Sequence, residues 1–232
     1  MKLAKQHIDL GLFTGNIDSD LSFWQSTVGL EFEHSLDLEP PVVPAFTTQH
    51  RHDANGSVIK VNSFHDQFVY SLDKPSGYRG LTIARDTNKE MEYITSSKEF
   101  VRIVPKGTDQ IQGIGITVLS NNTARLKDYY IKILGLESVG PNSVRCGDSL
   151  LFLEQGDGGH QTSTFVGEGF RYLTIQVFDA DKACSEIKRR GGRIGMSPIS
   201  VGKIARVGFV LDPDGNWIEI SARASLTGIP PK

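Results

Sequence analysis

The chain repeats itself, and that limits its possible folds more than any other feature. Phe23-Trp-Gln-Ser-Thr-Val-Gly-Leu-Glu31 returns as Tyr129-Tyr-Ile-Lys-Ile-Leu-Gly-Leu-Glu137, each an aromatic pair followed by four residues and Gly-Leu-Glu. Gly77-Tyr-Arg-Gly-Leu-Thr-Ile83 is echoed by Gly169-Phe-Arg-Tyr-Leu-Thr-Ile175. Asp53-Ala-Asn-Gly-Ser-Val-Ile-Lys60 is echoed by Asp212-Pro-Asp-Gly-Asn-Trp-Ile-Glu219. Units starting near residues 7, 77, 113 and 170 predict an architecture assembled from repeated supersecondary pieces.

The first unit reads as β-α-β-β-β. His7 to Phe13 alternates, placing Ile8, Leu10 and Leu12 on one face and His7, Asp9 and Gly11 on the other. Asn16, Asp18, Ser19 and Asp20 can cap a helix carrying Leu21, Phe23, Trp24 and Val28, closed by Gly29. Strands follow at Leu30 to His34, Phe46 to His52 and Val58 to Phe64. Unit two predicts a strand from Tyr78, a helix through Met91 and Ile94, and a strand at Phe100 to Val104, with most of its final hairpin lost. Unit three ends in Ser149 to Glu154. Unit four carries a helix over Ala183, Ile187 and Arg190, then a hairpin whose strands, Val207 to Leu211 and Trp217 to Ile220, flank Asp212-Pro-Asp-Gly215. The expected halves are 1–110, with units 7–70 and 77–110, and 111–232, with units 111–158 and 169–222. The shortened second unit predicts one functional cavity, not two.

Composition removes several function classes. A net charge of -2 gives no electrostatic case for nucleic acid or an anionic membrane. Lys188, Arg189, Arg190 and Arg193 end a predicted helix, where cations complement its dipole. Cys146 and Cys184 make neither a disulfide framework nor a zinc spacing. With no apolar leader or spanning run, the expected location is the cytoplasm. Gly156-Asp-Gly-Gly159 opens no predicted helix and lacks a following Lys-Ser/Thr, so it is not a phosphate cradle.

The four units, the aromatic pair with Gly-Leu-Glu and the terminal Asp-Pro-Asp-Gly-Asn-x-Ile-Glu resemble the vicinal oxygen chelate superfamily, which includes glyoxalase I, bleomycin-resistance proteins and extradiol dioxygenases. The resemblance runs from Ile8 to Ser221. It implies an α+β fold of four βαβββ-type repeats, the second truncated, forming curved, half-open barrel sheets with helices outside. It also implies one divalent metal, Fe, Mn, Zn or Ni, held by a first-strand His and a last-strand Glu and left open to vicinal substrate oxygens.

Carried over by position, the metal ligands would be His7 and Glu219, with Asp9 the alternative to His7. Lys60 takes the last-strand place in unit one, and an ammonium argues against a metal beside it. If unit one pairs with unit four, His7 and Glu219 can face one cavity. If pairing is sequential, they lie in different barrels. Two functions stay open. One is a lyase, isomerase or ring-cleaving dioxygenase acting on a small oxygenated compound, with Glu219, Tyr172 and Asp9 as catalytic groups and His52 at the ligand. The other is a metal-free sequestering protein in which Trp217, Tyr172 and Phe178 stack on a drug-like molecule. The partner in both is a small molecule, and the resemblance implies a homodimer.

Overall fold

In a computed structural model the structure describes residues 1–66 and 75–231, so the expected end of unit one at residue 70 lies outside the described residues. Unit one comprises β1 (Asp9–Phe13), α1 (Ile17–Ser22), β2 (Glu31–Leu38), β3 (Thr47–Ala54) and β4 (Ser57–Phe64). Unit two comprises β5 (Tyr78–Arg85), β6 (Met91–Ile94) and β7 (Phe100–Pro105). Unit three comprises β8 (Ile114–Ser120), α2 (Thr123–Asp128), β9 (Glu137–Gly140), β10 (Ser143–Cys146) and β11 (Ser149–Gln155). Unit four comprises β12 (Gly169–Gln176), α3 (Ala180–Arg189), β13 (Arg193–Val201), β14 (Ala205–Leu211) and β15 (Trp217–Arg223), followed by α4 (Ala224–Thr227).

The repeat holds down to single hydrogen bonds. Asn16 and Asn122 each cap a helix by accepting from the backbone N–H three residues on. Both helices then widen into a π-turn, Phe23–Thr27 and Tyr129–Ile133, in which Val28 N–H reaches Phe23 O and Leu134 N–H reaches Tyr129 O. Gly29 and Gly135 turn the chain with φ of 72° and 76°, the left-handed region where a side chain is costly.

Two sheets result. The eight-stranded sheet runs β13-β14-β15-β12-β1-β4-β3-β2 and joins units one and four. The seven-stranded sheet runs β6-β7-β5-β8-β11-β10-β9 and joins units two and three. The seam of the first is β1 antiparallel to β12, with Asp9 opposite Thr174 and Gly11 opposite Tyr172. Pairing is therefore not sequential: the outer units meet each other and enclose the inner pair in sequence. The main core holds Leu10 and Ile59 from one sheet, Leu81 and Ile116 from the other, and Trp24, Leu126 and Ile187 from the helical segments of units one, three and four.

Unit two departs from expectation. Met91–Ile94 is a strand paired antiparallel with β7, not a helix. Pairing with β7 fixes it as an edge strand, largely exposed at Met91, Glu92 and Ile94, while Tyr93 turns in and meets Phe23 edge-on at 6.3 Å. The β6–β7 hairpin is present. What the unit lacks is the helix and an outermost strand.

The terminal turn fastens the sheets together. Asp212 accepts from the N–H groups of Asp214 and Asn216, both at 2.9 Å, from Asn216 Nδ2 at 2.8 Å, and from the Tyr130 hydroxyl at 3.3 Å. Asn216 Oδ1 accepts from Gly77 N–H at 2.7 Å, and Tyr78 donates to Trp217 O at 3.1 Å. Burial, with the Asp214 charge adding to it, pushes the Asp212 carboxyl up to about 6 against its hydrogen bonds from Asn216 and Asp214.

Candidate functional site

Strand alternation decides which side chains leave the core. On β4, Ile59 and Val61 enter the core, so Lys60 and Asn62 face the other way. Register places Arg51 and Gln49 of β3 beside them, and Gly11 of β1 next to Lys60. Across β1 come Tyr172, Thr174 and Gln176 of β12, then Glu219 and Ser221 of β15. Together they floor a hollow walled by Leu36, Leu38, Val43, Phe165, Val207 and Phe209. It measures about 570 Å³ out to its mouth, but only about 60 Å³ is free for the centre of a water molecule. That is less than half of the roughly 150 Å³ that admits benzene in an engineered cavity, so a larger ligand has to displace the rim.

The centre of the floor is an ion pair. Lys60 Nζ donates to Glu219 Oε2 at 2.9 Å and to Thr174 Oγ1 at 2.7 Å, and Thr174 donates to the same Glu219 oxygen at 2.6 Å. Lys60 is 3% exposed and Glu219 8%, so neither charge has water to fall back on. Burial lowers the Lys60 pKa, with Arg51 adding to the effect, while Glu219 and Asp9 oppose it. Asp9 is fully buried beside this pair. It accepts from Lys5 Nζ at 2.6 Å and Val58 N–H at 3.0 Å. Burial works to raise its pKa, and the Lys60, Lys5 and Arg51 cations together hold it below the ordinary value.

Tyr172 lies across β1 because Gly11 has no side chain: a Cβ there would fall 2.1 Å from Tyr172 Cζ. Its ring lies 5.5 Å from Lys60 Nζ. Its hydroxyl accepts from Gln49 Nε2 at 3.3 Å and Asn62 Nδ2 at 3.4 Å. With two amides donating to that oxygen, its own proton is free to be donated into the hollow. Burial, and after it the Glu219 charge, raises the Tyr172 pKa far above that of a free phenol, so the proton stays on.

Residues 114–220 match the Glyoxalase/Bleomycin resistance protein/Dioxygenase superfamily. Glyoxalase I from Zea mays superposes over 95% of this chain and 92% of its own, with a TM-score of 0.66 at 13% identity. A mutant of the same enzyme gives 0.68 at 14%, over 95% and 92%. A putative dioxygenase from Bacillus subtilis gives 0.64 at 14%, over 96% and 86%. The chain has the vicinal oxygen chelate fold. Its expected curved sheets, four repeats and outer helices are all present, with both ends of the chain taking part in one sheet.

Against that fold, the residues named from sequence divide. Tyr172 and Glu219 lie on the floor of the hollow, and Asp9 is fully buried on the same face of the sheet without lining it. Trp217 joins the aromatic wall, 5.8 Å from Phe209 and 5.9 Å from Phe165. His7 precedes β1 and sits by the turn at Gly56, with Nε2 3.8 Å from Asp148 Oδ2, and shares no partner with Glu219. His52 shares a face with Ile59's side of the sheet, where Gln25 and Phe32 contact it and burial lowers its pKa. Phe178 lies after β12, exposed, with Lys2 Nζ 4.9 Å from its ring. Thr174, Gln176, Arg51 and Gln49 were overlooked. Period two carried on from Tyr172 reaches Thr174 and Gln176, and Arg51 stands opposite Lys60 in the hairpin that turns at 55–56.

The donor set on the floor does not fit a divalent metal. Glu219 Oε2 already accepts from the Lys60 ammonium and the Thr174 hydroxyl, and a cation held 2.9 Å from the carboxylate repels a dication brought to either of its oxygens. Among the described residues no three His, Cys, Asp or Glu side chains converge to hold an ion. The seven-stranded sheet also has a depression, larger at about 790 Å³ out to its mouth, but Gly80, Thr82 and Thr117 line it, and its Arg102 is paired with Glu90 and Glu92 at 3.2 and 3.3 Å. Among the described residues no helix is long and apolar enough to cross a membrane.

Proposed function

We propose that the hollow on the eight-stranded sheet is the active site of a small-molecule enzyme working by proton transfer, as an isomerase or lyase on a small oxygenated compound, without a metal. The observation that carries this is the buried Lys60–Glu219–Thr174 cluster beside the free Tyr172 hydroxyl. Burying such a pair is expensive, and apolar residues of similar volume would stabilise a sheet as well or better. A carboxylate, an ammonium and a neutral phenol in one dry site are the parts needed to shift a proton next to a carbonyl. Glu219 accepts the proton from the carbon that bears the hydroxyl, and Lys60 and Tyr172 donate hydrogen bonds to the carbonyl oxygen on which charge collects; the substrate's hydroxyl proton passes to that oxygen, and Glu219 returns the first proton to the former carbonyl carbon. The step is redox-neutral and consumes no co-reactant.

The sequestering reading has one specific support, the wall in which Phe165 stacks on Phe209 at 4.2 Å beside Tyr172 and Trp217. Solvent deuterium separates the two. A panel of 2-hydroxyketones and hydroxyaldehydes is incubated with the protein in D₂O and followed by NMR. Deuterium entering carbon next to the carbonyl, abolished in Glu219→Gln with binding retained, is the expected result. Binding without exchange in the unaltered protein would end the enzyme reading and leave the binder. Buried free Cys146 and Cys184 suit the cytoplasmic location expected from sequence, and gel filtration tests the homodimer that the resemblance implies.

A further inference from the structure

We infer that the hollow recognises a carboxylate, the ligand being a small organic acid with an apolar body, gripped by Arg51 and Arg223. This rests on the hollow being the functional site. Arg51 is 4% exposed, yet only one edge of its guanidinium is engaged, Nη1 donating to Gln49 Oε1 at 2.9 Å. Its Nε and Nη2 are buried without a hydrogen-bond acceptor among the described residues. The nearest carboxylate, Glu33, stands 3.8 Å from Nε, beyond hydrogen-bond reach. Arg223 lines the same hollow from the end of β15, and its Nε is likewise buried and unpaired. Both residues line the hollow, and a buried guanidinium N–H without an acceptor carries a desolvation penalty that an anion reaching these atoms would relieve.

Glu33 lies within ion-pair range of Arg51 Nε but too far to accept its hydrogen bond, and the other nearby carboxylates are engaged. Glu219 is taken by Lys60 and Thr174, and Asp9 by Lys5 and the β4 backbone. The free Arg51 edge, Nε with Nη2, presents two parallel donors, the geometry that a planar carboxylate meets with both oxygens. Leu36, Leu38, Val43 and Val207 leave the rest of the ligand an apolar wall. A phosphate would need more donors than these two edges, and backbone N–H groups to surround it. With its carboxylate at the arginines, the body of the acid extends over the floor toward Lys60 and Tyr172, which makes an oxygenated acid the substrate class for the proton transfer proposed above.

The test uses isobutyrate and benzoate, their uncharged amides, and inorganic phosphate, each titrated against the intact protein and followed by NMR shifts and Trp217 fluorescence. The acids are expected to bind at least tenfold more tightly than the amides. Arg51→Gln and Arg223→Gln should each remove most of that preference without touching amide binding. Arg51→Lys keeps the charge but offers a single-point donor, so it should keep the fold and lose part of the preference. Equal binding of acids and amides, or an acid preference indifferent to all three substitutions, overturns carboxylate recognition while leaving the hollow as the site. Phosphate bound in preference to the acids also overturns it. Failure of acids and amides alike to shift any residue of the hollow overturns the site reading itself, and this inference with it.

Discussion

Lys60 and Glu219 stand 2.9 Å apart with almost no solvent, which makes their pairing the strongest local constraint on the site. Gly11 is the residue that lets the third member approach. Gly11→Ala should cost about 1–3 kcal/mol by overpacking against Tyr172, and the cost should largely vanish in a Tyr172→Ala background, which urea unfolding of the two single variants and the double would reveal. Equal costs in both backgrounds would mean the ring is not what occupies that space. Glu219 and Tyr172 were legible in the sequence because a carboxylate and an aromatic sat at repeat-related strand positions. Arg51 was not, because His50 and His52 draw attention to the face that β3 turns away from the hollow. His7 failed as a cavity residue for a similar local reason: the first strand begins at Asp9, and alternation says nothing about a residue before it.

At the scale of elements, the turn between β14 and β15 is where two sheets meet around the buried acids Asp212 and Asp214. Asp212 is neutral in the folded protein up to about 6 but ionises in the unfolded chain near 3.8. Below both values the proton is on in both states. As pH rises from 4 through 6 the unfolded state ionises first, so this residue's contribution to stability is lost over that window, by at most about 3 kcal/mol. Asp212→Asn cannot ionise, so its stability relative to the unaltered protein should rise between pH 4 and 7, whatever fixed offset the lost hydrogen bonds impose. Urea midpoints across that range check it, and a constant difference would contradict it. The helices and the glycines that close them were readable because aromatic pairs and Gly-Leu-Glu recur together, while their π-turns carry no mark in the sequence. Unit two was misread because Met91-Glu-Tyr-Ile94 satisfies a three-residue helical spacing as well as a strand alternation, and four residues are too few to choose by period.

Taken whole, the molecule draws each sheet from both ends of the sequence. The number and order of units were legible from their echoes, but which unit meets which was not, since an echo identifies a unit and is silent on its partner. The seam at β1 and β12 settles it by bringing Asp9, Lys60, Thr174 and Glu219 to one face of one sheet. The most direct measurement of this account is a double-mutant cycle on stability with Lys60→Met and Glu219→Gln. Each single change leaves a buried group without its partner and should cost about 3–5 kcal/mol. The double variant should cost less than the two together, by a coupling energy above about 1 kcal/mol. Costs that add within about 0.5 kcal/mol would mean that Lys60 and Glu219 do not touch, and would contradict both the pairing of the outer units and the site built on it.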